Sequence, residues 1–175
     1  MPMIATLLLL ATAAPAPLPA APDLLDPARA GKIRCIGPDS RLRTCATMVR
    51  YTVHEDGRFD AAVTGVVSTE PTILIEYQTS GQIEDGAACS TVRPIDFRSG
   101  KLTKDGAGLA PAIETSVRQR LMLALQPLAG RKRCYRDRPD GDGIISDVIV
   151  DGQVRADMNQ RVLWVSPEEG WAPGM

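Results

Sequence analysis

One histidine, His54, bounds the nucleophilic chemistry open to this chain. A serine attacks a carbonyl when a neighbouring base takes its proton, and His54 is the only imidazole that could do so. No Gly-x-Ser-x-Gly elbow presents a serine to it, and Glu55-Asp56-Gly57 beside it marks a turn. A solvated turn residue is the favoured reading, so no catalytic residue is assigned. Acid/base work needs spaced, buried carboxylates. The acidic pairs here, Glu55-Asp56, Glu84-Asp85 and Glu168-Glu169, fall in turn or tail segments. Asp140, Asp142 and Gly143 imitate a calcium loop. With Gly143 in the sixth position, however, Arg138 stands first and Ile149 twelfth, where the loop needs acidic ligands. A flexible turn is favoured over a weak calcium site. A zinc site would have to do without any Cys-x-x-Cys and with one histidine. No metal or cofactor is assigned.

Arg131, Lys132 and Arg133, then Arg136 and Arg138, form a basic cluster. It reads either as an anion or partner contact or as charge that complements a helix end and blocks strand edges. Trp171, in a Gly- and Pro-rich ending, is a further candidate for partner contact. The 20 basic and 21 acidic residues leave a net charge of −1, which argues against a general nucleic-acid binder. Aromatic residues make up 4% of the chain, so the core must rest on aliphatic side chains.

Two further features speak of export. Residues 3–14 are uncharged and apolar, and Ala11-Thr12-Ala13 follows the small-x-small cleavage rule. This run is too short for a bilayer span of about 20 residues. Residues 1–20 are therefore read as a signal peptide, although no Lys or Arg precedes the apolar run. No later stretch is apolar enough to cross a membrane. Four cysteines follow, Cys35, Cys45, Cys89 and Cys134. An even count in an oxidising compartment suggests two disulfides. Of three pairings, Cys35–Cys45 and Cys89–Cys134 are favoured, contributing about 3 and about 4 kcal/mol by loop closure.

The elements that must position these residues alternate between strands and one helix. Residues 21–31 read as a linker, rich in Pro, Asp and Ala. Short strands are expected at 33–36, 45–54, 59–68, 72–78, 87–93, 133–136, 144–150, 153–156 and 161–165. In 45–54, Thr47, Val49, Tyr51 and Val53 share one face. Asp56-Gly57 and Asp151-Gly152 supply hairpin turns. Residues 81–86 read as loop. Pro111 opens a helix whose apolar face is Ile113, Val117, Leu121, Ala124, Leu125 and Leu128. The expected fold is α+β: an antiparallel or mixed β-sheet with one long amphipathic helix packed across a face. Residues 32–166 would form that single domain and 167–175 a mobile tail.

Cys35 and Cys45, Gly86-Ala-Ala-Cys89, Cys134, and Trp164-Val-Ser-Pro167 before Glu168-Glu169-Gly170 resemble small exported Gram-negative bacterial proteins with two disulfides. The resemblance implies a periplasmic or secreted setting and brings no activity. Function is then read as a non-catalytic envelope binding domain, its partner an unknown envelope protein or cell-wall component, with no nucleic acid. The alternatives are a small-ligand or weak metal carrier, using a sheet–helix crevice or the Asp137–Asp142 loop, and a hydrolase with an unrecognised site.

Overall fold

The computed structural model describes residues 23–175, so the signal peptide read over residues 1–20 lies outside the described residues. A short helix, α1 (Asp26–Arg29), leads into strands β1 (Ile33–Asp39), β2 (Thr44–Val53), β3 (Arg58–Thr69), β4 (Thr72–Glu84) and β5 (Ala87–Thr91). Helix α2 (Pro94–Ser99), the small hairpin β6 (Lys101–Lys104) and β7 (Ala107–Gly108), and helix α3 (Pro111–Leu125) follow. Strands β8 (Lys132–Asp140), β9 (Gly143–Val150), β10 (Gln153–Val154), β11 (Gln160–Val165) and β12 (Ala172–Pro173) complete the chain.

The sheet closes on itself. Strands β1 to β5 pair antiparallel in sequence order, β5 pairs β8, β8 pairs β9, and β9 pairs β11. The ring is completed by β11 against β1, with Ile33 opposite Val165 and Ile36 opposite Val162. Eight strands thus make a closed antiparallel barrel. This corrects the expected α+β sheet with a helix across its face. Period-2 alternation turns one face of every strand into the lumen, where the strands cover one another and no helix is needed to bury them. Leu24, Leu25 and Ala28 of the α1 segment pack with Ile36, Val49, Phe59, Ala61, Val63 and Ala88 in one core cluster.

Helix α3 begins at Pro111 as expected, but none of its residues is fully buried. Val117, Leu121, Met122 and Leu125 rest on a second cluster of Ile73, Ile75, Val92, Phe97 and Leu102, while Ile113 stays 52% and Leu123 60% exposed. Ala124, expected on the buried face, is also exposed. The helix belongs to the β5–β8 connection at one end of the barrel; α1 leads into β1 at the other. Asp85-Gly86, Asp105-Gly106 and Asp151-Gly152 each have two successive positive φ angles, the geometry of a tight hairpin turn. The first of these turns lets β4 run on to Glu84, through residues read as loop.

Two further segments differ from expectation. The stretch read as a linker carries α1, with Leu25 wholly buried. The ending read as a mobile tail forms a 3-10 turn closed by a Ser166–Glu169 capping box, and then β12, parallel to β2. Both expected disulfides are present. Cys35–Cys45 joins β1 to β2, and Cys89–Cys134 joins directly opposed residues of β5 and β8.

Candidate ligand cavity in the barrel lumen

Strand β8 decides the character of the lumen. Its alternation sends Arg133, Tyr135 and Asp137 to one face and Lys132, Cys134, Arg136 and Arg138 to the other. The ladder sets Arg133 opposite Ser90 and Val150, Tyr135 opposite Ala88 and Val148, and Asp137 opposite Ser146. From β1 comes Arg34, fully buried. Its Nη2 donates to Asp137 Oδ1 at 2.5 Å and to Ser146 Oγ at 2.7 Å, and its Nη1 donates to the Tyr51 hydroxyl at 3.4 Å. Burying a guanidinium is costly without such partners, and here a buried ion pair with added hydrogen bonds supplies them.

Arg133 has no such answer. Among the described residues its side chain forms neither an ion pair nor a hydrogen bond, and its Nε is buried without a partner. Its guanidinium carbon lies 5.1 Å from the centre of the Tyr135 ring, which Arg34 also approaches at 5.3 Å. Arg34, Arg133 and Asp137 thus leave the lumen one positive charge in excess.

Arg133 and Tyr135, together with Tyr51, line a cavity of about 190 Å³. Val49, Ala61 and Val63 give it an apolar wall; Thr47, Thr79, Ser90, Arg133 and Gln160 give it polar groups. Phe97 of α2 and Leu125 of α3 reach it from the helical end. Burial pushes the Tyr77 and Tyr135 hydroxyls well above the usual tyrosine range, so both remain neutral donors at physiological pH. Burial also pushes the Asp137 carboxyl up, against the pull of Arg34.

A second, open cleft of about 570 Å³ lies on the outside of the barrel, where β4 and β5 share three residue pairs before parting. Phe59 and Ser90 border both spaces. Gly81 is required at this seam, because a Cβ there would stand 2.1 Å from the Cys89 carbonyl oxygen and 2.4 Å from the Phe59 ring. The cleft holds His54, 45% exposed, with Nε2 2.9 Å from Asp60 Oδ2. The other charges lining it are matched: Arg58 by Asp56, Arg93 by Asp96, and Lys132 by Glu84.

The basic cluster of the sequence is therefore not one patch. Arg131 pairs with Asp151 at 2.7 Å, Lys132 with Glu84, and Arg138 with Asp147 at 3.0 Å, while Arg136 donates to the Asp85 carbonyl. Of its members, Arg133 alone lines the lumen cavity. Trp171 packs beside Ile33, Cys35, Cys45 and Val165 rather than standing free. Asp140 and Asp142 lie at the β8–β9 hairpin, and no group of three metal-ligating side chains occurs among the described residues. The sequence does not single out Arg34, Tyr77 or Tyr135, and it presents Asp137 only as part of a possible metal or ligand loop, not as the partner of Arg34. The available signal was the i, i+2, i+4 spacing of Arg133, Tyr135 and Asp137 within a strand.

Among the described residues, no helix is long and apolar enough to cross a membrane. Comparison of the chain with protein-family models, with curated proteins and with solved structures finds no match.

Proposed function

We propose that the protein holds a small amphipathic anion in the barrel lumen without transforming it. The observation that carries this reading is Arg133, a cation without a protein partner lining a cavity that also has an apolar wall. Eight-stranded barrels have room for packed side chains or for one small ligand, and a space of about 190 Å³ suits the second use. Among the described residues, no histidine, lysine or carboxylate lines the cavity, so its serine and threonines have no base beside them. This favours holding over hydrolysis. The cavity's size and its place under α2 and α3 favour a small molecule over an envelope protein or a cell-wall component. The two disulfides fit an oxidising compartment, and with the export signal read from the sequence they support a carrier working in the periplasm or outside the cell.

The test is the thermal midpoint of the intact protein with hexanoate and with benzoate, each against its uncharged counterpart, 1-hexanol or benzyl alcohol. A ligand that binds only the folded state adds about 2.7 kcal/mol at a hundredfold excess over its Kd. At least one acid is expected to raise the midpoint by several degrees, its alcohol by less, and Arg133→Met is expected to remove the difference. Acids that act no better than alcohols, or a response unchanged in Arg133→Met, would overturn the reading.

A further inference from the structure

We infer that the lumen ligand is a small aromatic monocarboxylate of about the size of benzoate, its carboxylate on Arg133 and its ring among the cavity's aromatic side chains. The inference rests on the reading of the lumen as an anion site and names the class of anion. The chain has three tyrosines and two phenylalanines. All five, Tyr51, Phe59, Tyr77, Phe97 and Tyr135, line this one cavity. They arrive from five separate elements, β2, β3, β4, α2 and β8.

Their arrangement suits a flat guest. Tyr51 meets Phe59 edge to face, at 5.3 Å between centroids and 83° between planes. Tyr77 and Phe97 are tilted at 39°, with centroids 4.3 Å apart. A guest ring can meet such rings by edge or by face, which adds to what burial of its area gives. Size sets the upper limit. An apolar cavity of roughly 150 Å³ takes a benzene ring. The lumen's 190 Å³ leaves space for one carboxylate more and none for a second ring. Charge sets the rest: the lumen carries one unanswered cation, which a single carboxylate neutralises. The planar fork of a guanidinium matches that carboxylate with two parallel hydrogen bonds. Tyr77 and Tyr135, whose hydroxyls have no hydrogen-bond partner among the described residues, line the same space.

The experiment is isothermal titration of the intact, oxidised protein with benzoate, cyclohexanecarboxylate and benzyl alcohol. The two acids share charge and nearly share volume; benzoate and the alcohol share the ring. Benzoate is expected to bind one per chain, about fivefold tighter than cyclohexanecarboxylate and at least tenfold tighter than benzyl alcohol. Phe97→Leu, a change outside the barrel strands, should narrow the preference for benzoate over cyclohexanecarboxylate. Arg133→Met should remove the preference for benzoate over benzyl alcohol. If cyclohexanecarboxylate binds as tightly as benzoate, the aromatic class is wrong and the anion site stands. If benzyl alcohol equals both acids, or neither acid binds, the anion site and the class fall together.

Discussion

Two guanidiniums reach the ring of Tyr135, and they differ in what answers their charge. Arg34 is balanced by Asp137 and Ser146 inside the barrel; Arg133 is not balanced. Opposite effects on stability follow. Asp137→Asn leaves Arg34 buried and unpaired, and is expected to cost about 3 kcal/mol in urea denaturation. Arg133→Met removes an unpaired charge and keeps the length of the side chain. It is expected to raise the stability of the free protein by about 1 kcal/mol while weakening acid binding. If Arg133→Met destabilised the free protein as much as Asp137→Asn, Arg133 would be a structural residue and not a site held ready for a ligand. At the seam, Gly81→Ala drives a methyl group into the Cys89 backbone and the Phe59 ring. A loss of about 2 kcal/mol or more is expected in the same experiment.

The helical end of the barrel hangs on one residue. Arg118 of α3 donates through Nη1 to the carbonyls of Phe97, Arg98 and Gly100 at the end of α2, and pairs with Glu114 at 2.5 Å. It satisfies carbonyls that the short helix α2 leaves open, and ties α3 above the cavity. Arg118→Ala is expected to cost about 2 kcal/mol, with α3 amides losing protection from hydrogen exchange before the barrel strands do. Equal loss of protection across the barrel would refute this tethering role. Elements of this kind were legible in the sequence where local rules govern them. Alternation in 45–54 put Thr47, Val49 and Tyr51 on one face, and that face lines the cavity. Pro111 opened the helix at its true start. What local rules could not show was closure, because β1 meets β11 across most of the chain's length and no spacing in either strand names the other. Without closure, the apolar helix face had only a sheet face on which to pack, and the expected fold was wrong for that reason. The basic cluster failed differently. It was read along one dimension, whereas the period of a strand sends Arg133 inward and its neighbours to surface carboxylates.

At the scale of the molecule, the barrel is a ring whose β4–β5 seam has three residue pairs, and the Cys89–Cys134 disulfide fastens β5 to β8 beside it. Replacing both cysteines by alanine is expected to lower stability by about 4 kcal/mol. The lumen also sets a pH limit. Tyr77 and Tyr135 hold their protons in the folded state beyond the pH at which an unfolded tyrosine, with a pKa of about 10, loses its own. The unfolded chain therefore binds fewer protons above that pH, and stability present below about pH 10 is lost as the pH rises past it. Denaturant midpoints measured across this range should fall, and Tyr77→Phe should soften the fall. Whether Arg133 receives an anion in the lumen is read from nitrogen-15 NMR of the arginine Nε–H groups during a benzoate titration. Arg34 serves as the control, because its Nε is also buried without a protein partner and its charge is already balanced. The expected result is a saturable shift of the Arg133 resonance, with Arg34 moving little and the surface arginines not at all. An Arg133 resonance that stays in place while benzoate saturates, or shifts confined to surface arginines, would rule out Arg133 as the anion's partner.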